Sequence, residues 1–170
     1  MADDVQIRSA ARGDVPELLE MFAELAEYEH LSDLLAATEQ RLTAALFGER
    51  PAAQALIARR GSETAGYAVF FSTFSTFLAI PGIWLEDLFV RPAHRGAGVG
   101  RALLAAVAQT LRERGGERLE WSALRWNELA LGFYRGLGAE TMDEWITHRL
   151  LGGDLERLAA EAHERPDAER

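Results

Sequence analysis

The chain has 170 residues, 48% of them hydrophobic, with no Cys and a net charge of -9. That length suits a single domain over residues 1–170 with a core that needs no staple, and the missing Cys excludes disulfides, thiolate metal sites and a Cys nucleophile. The acidic balance argues against nucleic-acid binding, which needs clustered cations to displace phosphate counterions.

Asp3 and Asp4 stand where a secretory signal has basic residues, and the longest apolar stretch, Tyr67 to Ile80, is interrupted by Ser72, Thr73, Ser75 and Thr76. Neither a signal nor a membrane span is expected, and the expected location is cytoplasmic.

Val5 to Ser9 alternates as an opening strand. Asp14, Val15, Pro16 and Glu17 read as a helix start with an acid cap, and Val15, Leu18, Leu19, Phe22, Leu25 and Ala26 continue at helical spacing to about Tyr28. Thr38 caps a shorter helix that buries Leu42 and Leu46 and stops at Gly48. Gln54 to Arg59 and Thr64 to Thr73 form a hairpin, and Ile83 to Val90 is a further strand. A helix follows with Val99, Leu103, Val107 and Leu111 on one face, closed by Gly115 and Gly116. Arg118 to Ala123 is predicted as a strand, Asn127 caps a helix through Leu137, and Trp145 to Leu150 is predicted as a last strand. The tail from about Asp154 is a charged amphipathic helix, expected to fray over about residues 161–170. This order gives a mixed α/β layer architecture.

Arg95, Gly96, Ala97, Gly98, Val99, Gly100 and Arg101 lie between a strand end and a helix start. Helix N-termini carry unsatisfied N–H groups, and residues without Cβ let an anion approach them, so the turn is a candidate phosphate cradle. A tight turn with no ligand is the equal alternative, and the spacing matches neither the dinucleotide fingerprint nor the P-loop. His30, His94, His148 and His163 are too scattered for a metal site, and none is expected.

The run R-G-A-G-V-G at this strand-to-helix junction resembles the Q/R-x-x-G-x-G/A signature of the GNAT family of N-acetyltransferases. WLEDLFV, RWNELALGFYRGLGA, DEWITHRLLGGDLERLA and AEYEHL are similar to the diamine and polyamine branch, which includes spermidine/spermine and thialysine acetyltransferases; the likeness spans Gln6 to about Ala160. Ala97 departs from the basic residue frequent in its slot, and Leu129 from a common Pro. The resemblance implies a mixed, mostly antiparallel sheet, splayed where acetyl-CoA binds, with helices on both faces. It also implies acetyl transfer from acetyl-CoA to a primary amine of a small polyamine, diamine or lysine-like acceptor in a ternary complex, and a homodimer. A protein N-terminus or an antibiotic amine is an alternative acceptor, and a non-catalytic CoA-binding sensor an alternative function.

A protonated amine must lose a proton before it attacks a thioester. Strand alternation puts Glu86 and Asp87 on opposite faces, one to take that proton and one to hold a cationic end of the substrate. The resemblance assigns Glu86 as base and Asp87 as substrate contact, with Tyr134 giving a proton to the departing thiolate. It further implies backbone contacts to the cofactor from Leu88, Phe89 and Val90. Residues 95–101 would hold its pyrophosphate, and Asn127, an equally good helix cap, and Arg135 would contact the cofactor. Tyr28, Glu29, Trp84 and Glu144 would line the amine channel.

Overall fold

The structure, a computed structural model, describes residues 5–164. The chain forms two compact units, one ending at Ser122 and the other starting at Ala123.

In the first unit, β1 (Val5–Ser9), β2 (Gln54–Arg60), β3 (Glu63–Ser75), β4 (Ile80–Val90) and β5 (Arg118–Trp121) make one five-stranded sheet in that order. The first four strands pair antiparallel, and β5 joins β4 in parallel. The parallel connection runs through α3 (Val99–Glu113), as a crossover between parallel strands requires. On one face, Val15, Leu18 and Met21 of α1 (Val15–Tyr28) and Leu42 and Leu46 of α2 (Glu39–Phe47) pack with Ala55, Ile57, Tyr67, Val69 and Phe89. On the other, the buried stripe Val99, Leu103, Val107 and Leu111 of α3 covers β3 and β4, whose alternate residues Ala68, Phe70, Ile83 and Leu85 are also buried. Burying a Leu or Val side chain contributes about 1.5–3 kcal/mol. Two such layers account for a sheet that needs no covalent staple.

The start of α1 differs in detail from the expected acid cap. The Asp14 carboxylate accepts the Ala11 N–H at 2.6 Å and two guanidinium N–H groups of Arg8 at 2.6 and 2.7 Å, and makes no side-chain cap on α1. The carboxylate therefore ties β1 to the preceding turn, and the Arg8 hydrogen bonds hold its pKa below the usual carboxylate range. Thr38 does cap α2, accepting the Arg41 N–H at 3.3 Å.

α1 is also fastened across the sheet. Arg91, just past β4, donates to Glu24 at 3.0 Å and sits 3.5 Å from Glu17, while the Thr64 hydroxyl donates to Glu17 at 2.8 Å. Gly66 sits opposite Val90, and a Cβ there would collide with the Phe89 carbonyl oxygen, so glycine lets β3 and β4 close up beside the end of β4.

The second unit holds α4 (Glu128–Arg135) and α5 (Gly152–Glu164). Asn127 caps α4 by accepting the Ala130 N–H at 3.2 Å. The helix ends earlier than Leu137, and Gly138 at φ 83° still turns the chain. The strand expected at Trp145 to Leu150 is not formed. Its residues are exposed, and none pairs with another strand among the described residues. Alternating apolar residues make a strand only where a partner edge takes the backbone N–H and C=O groups. α5 starts slightly before Asp154 and runs to Glu164, and the rest of the expected frayed tail lies outside the described residues.

Leu18 is fully buried between α1 and the sheet. Leu18→Ala is expected to lower stability by about 2–5 kcal/mol, measured by equilibrium urea unfolding.

Candidate active site

Across from β4, Val69 pairs with Asp87 and the next residue, Phe70, pairs with Leu85. Glu86 is therefore a β-bulge, the one residue between them with no partner in β3. The extra residue resets the alternation. Leu85 shares the α3 face with Phe70, whereas Asp87 shares the α1 face with Val69. Trp84, paired with Phe71, is on the α1 face as well, and its indole N–H donates to Glu86 Oε2 at 3.0 Å. The two carboxylates thus lie on one side of the sheet, which corrects the expectation from simple alternation.

The bulge coincides with the end of pairing on the other edge of β4. β5 accompanies β4 only from Gly82 to Leu85. Beyond that point the peptide groups divide by alternation. The Arg91 N–H donates to Ala65 O at 2.9 Å, so Phe89 and Asp87, two and four residues back, direct their backbone groups to β3. Leu88 and Val90 direct theirs to the side that β5 has left. One of these groups is already used, since the Val90 carbonyl accepts from Arg95 Nε at 3.0 Å. The Leu88 N–H and C=O and the Val90 N–H remain as an open strand edge within this unit. Phe89 contributes its ring to the core instead.

The glycine turn follows. Gly96 and Gly98 have φ of 76° and 81°, the left-handed region that favours glycine, and the space beside both is open. Gly98 is the N-cap of α3 and no side chain caps that helix. The first-turn N–H groups, from Val99, Gly100 and Arg101, lack intrahelical partners and carry the positive end of the helix dipole. Val99 anchors the turn in the core, while Ala97 and Arg101 are exposed. The arrangement suits a phosphate group. Arg95 has a further engagement: its guanidinium lies 4.8 Å from the centre of the Tyr28 ring. A residue expected at the cofactor and one expected at the substrate thus stack on each other, linking the turn to the end of α1.

Burial pushes the Asp87 carboxyl up to about 6, with the negative charges of Glu86 and then Glu29 adding to the rise. Burial also raises Glu29, the residue that closes α1. Such acids are poised to accept a cation, because a positive charge offsets both the desolvation and the mutual repulsion.

In the second unit, Tyr134 packs its ring 5.3 Å from that of Phe133, and its carbonyl accepts from Leu137 and Ala139. Arg135 reaches Glu128 at 3.5 Å, Trp126 is exposed, and Glu144 lies exposed in a turn. Sequence reasoning missed the Arg91 brace and the setting of Tyr67, buried between Phe22 and Phe89. The brace had a visible signal, since Glu17, Glu20 and Glu24 recur along one helical stripe. Among the described residues, no three His, Asp or Glu side chains converge as metal ligands, and no helix is long and apolar enough to cross a membrane.

Because the folded Asp87 pKa is raised, the folded state holds that proton more tightly than the unfolded chain, so the Asp87 contribution to stability falls as pH rises from the ordinary carboxylate range through about 6. Asp87→Asn should remove that fall and raise the melting temperature at pH 7, read by thermal unfolding from pH 4 to 7. Gly98→Ala forces a Cβ into the left-handed region and should cost about 1 kcal/mol or more in stability, measured by equilibrium urea unfolding.

Residues 15–139 match the acetyltransferase (GNAT) family. The chain is 35% identical over 166 residues to a thialysine N-epsilon-acetyltransferase of Bos taurus, covering 91% of this chain and 97% of that protein. It is 28% identical to an L-ornithine N5-acetyltransferase of Arabidopsis thaliana, over 90% of this chain and 87% of that one. Among solved structures, an integron cassette protein from the mobile metagenome of V. cholerae superimposes with a TM-score of 0.76 at 29% identity, covering 91% of this chain and 97% of the other. The open mixed sheet, the glycine turn before α3 and the matched residues agree, and the chain belongs to the GNAT family of acetyltransferases.

Proposed function

We propose that this protein transfers an acetyl group from acetyl-CoA to a primary amine of a small diamine, polyamine or lysine-like molecule, by direct attack in a ternary complex. The observation that carries the reading is the pair of carboxylates at the β4 bulge, on one side of the strand, next to a backbone edge with free donors. The similarity to thialysine and L-ornithine acetyltransferases supports a small cationic acceptor.

The residues of the first unit fit the cofactor. The Leu88 and Val90 N–H groups suit the amides and the thioester carbonyl of an extended arm, and the uncapped start of α3 suits its pyrophosphate. Acetyl-CoA, when bound, supplies the acetyl thioester. Glu86 takes a proton from the substrate ammonium, directly or through water, and frees the nitrogen lone pair for the carbonyl carbon. The Leu88 N–H would hold the carbonyl oxygen where negative charge develops. Tyr134 would give a proton to the sulfur released when the C–S bond gives way to the C–N bond, and the nitrogen's second proton would leave through solvent, which restores the Tyr134 phenol. Asp87 and Glu29 hold a second cationic group of the substrate by charge-assisted hydrogen bonds, with Tyr28, Trp84 and Glu144 beside the acceptor. Asn127 and Arg135 contribute to cofactor binding. The reading includes a cytoplasmic homodimer, which the branch resemblance supports. Exposed Trp145 and Ile146, at 72% and 79%, supply apolar surface for it.

The test is thiol release from acetyl-CoA with spermidine, putrescine, thialysine, L-ornithine, a peptide amine and an aminoglycoside. Turnover is expected on the small di- or polycations. Glu86→Gln should lose about 100-fold or more in kcat near neutral pH and regain part of it at high pH, where the amine deprotonates unaided. Tyr134→Phe should lower kcat by about 10-fold or more without raising the amine KM. Turnover confined to the peptide or the aminoglycoside, or none with any amine, would overturn the reading.

A further inference from the structure

Tyr67 lies mid-strand in β3 and is fully buried. Its ring is core, with the Phe22 ring of α1 at 5.0 Å and the Phe89 ring of β4 at 6.0 Å. Its hydroxyl is another matter, for among the described residues it has no hydrogen-bond partner. A buried donor or acceptor left unpaired costs about 1–3 kcal/mol, so an orphan in the best-packed part of a core needs a reason. Phe at this position would have filled the same space without that cost.

The surroundings supply a reason. Tyr67 pairs with Phe89, and Val69, the next β3 residue on the same face, pairs with Asp87. Tyr67 and Asp87 are therefore diagonal neighbours on the α1 side of the sheet, within reach of long side chains. Burial, followed by the charges of Asp87, Glu29 and Glu24, keeps the phenol protonated by pushing its pKa well above the ordinary value. A neutral hydroxyl thus sits in a field of carboxylates, with lone pairs to offer and none of them used.

We propose that the Tyr67 hydroxyl is an acceptor-positioning group, its oxygen taking one N–H of the substrate's non-reacting primary ammonium while Asp87 and Glu29 take the others. A primary ammonium has three donors and no acceptor, and this corner of the fold holds two carboxylates and, buried beside them, one neutral oxygen. The inference rests on the proposed acceptor class and adds a preference within it, for a distal primary ammonium over an N-alkylated one.

The experiment compares the parent with Tyr67→Phe on putrescine and on its N,N-dimethyl derivative, which keeps one primary amine to acetylate but has a single N–H at the other, protonated end. Tyr67→Phe should raise the putrescine KM roughly tenfold or more, as loss of a hydrogen bond to a charged group does, and change the dimethyl KM far less. The KM for acetyl-CoA should stay within twofold, and the melting temperature should hold or rise, since an unpaired buried hydroxyl has been removed. A putrescine KM within twofold of the parent, or equal increases for both diamines, would overturn the inference while leaving the acetyltransferase reading intact. Should the parent turn over neither diamine, that acceptor class fails, and titration of putrescine into both proteins decides Tyr67 separately. Weaker binding to Tyr67→Phe upholds its role, and equal or absent binding in both overturns it.

Discussion

Glu86 has no partner across β3, and that one unpaired residue of β4 organises the site around it. A regular strand would send Glu86 and Asp87 to opposite faces, leaving one of them beneath α3 among Leu103 and Val107, where an acid has no partner. With the bulge, Leu85 stays on the α3 face and Asp87 moves to the α1 face beside Val69. The bulge also raises local twist, and pairing with β5 stops at Leu85, immediately before it. The same local irregularity therefore turns the acids to one side of the sheet and adjoins the point where the other edge of β4 opens.

Holding acids close together in a partly buried place has a cost, which the fold meets by bracing the elements that carry them. Arg91 gathers Glu17 and Glu24 of α1 at the end of β4, and Arg95 stacks on Tyr28 at the end of the same helix. Those contacts fix where Glu29 lies relative to Asp87 without neutralising either one. Had Arg91 or Arg95 paired with Asp87 instead, its carboxyl pKa would be depressed, and an incoming cation would have to displace a resident one. The raised pKa of Asp87 reflects burial and the uncompensated charges of Glu86 and Glu29, which the proposed binding of a cation would relieve.

Much of this was legible in the sequence because it is written in local signals. The Pro16 helix start, the Thr38 and Asn127 caps and the α3 stripe of Val99, Leu103, Val107 and Leu111 all lie where periodicity and capping chemistry put them. The glycine turn was legible for the same reason, since left-handed residues such as Gly98 advertise themselves. What failed depends on pairing with distant chain. Trp145 to Leu150 alternates like a strand, yet strand formation is decided by a partner edge. Glu86 and Asp87 looked like a two-faced pair because a bulge is a property of two strands in register, and neither strand alone shows it. Asp14 looked like a cap but is taken by Arg8, six residues back and brought near by the turn between β1 and α1. The orphan hydroxyl of Tyr67 is invisible until its neighbours are known to be Phe22 and Phe89.

The two halves of the proposed chemistry draw on different parts of the polypeptide, and this bears on how one fold serves many acceptors. In the proposed chemistry, recognition of the acyl donor would rest largely on backbone: the N–H groups of Leu88 and Val90 at an open edge and the first turn of α3 behind two left-handed glycines. Backbone donors survive almost any side-chain change that preserves the fold, so this half tolerates extensive sequence drift. Recognition of the acceptor, as proposed, would rest on side chains: Asp87, Glu29 and Tyr67 on the α1 face of the sheet. A family built this way can keep its architecture at 29% identity, as the integron cassette structure does, and still vary its acceptor. The relatives named as thialysine and L-ornithine acetyltransferases, which differ in acceptor, are compatible with that division. Acceptor choice in this chain should therefore be sought in the few side chains on the α1 face of β3 and β4, where charge and burial are most at odds, rather than in the glycine turn that defines the family.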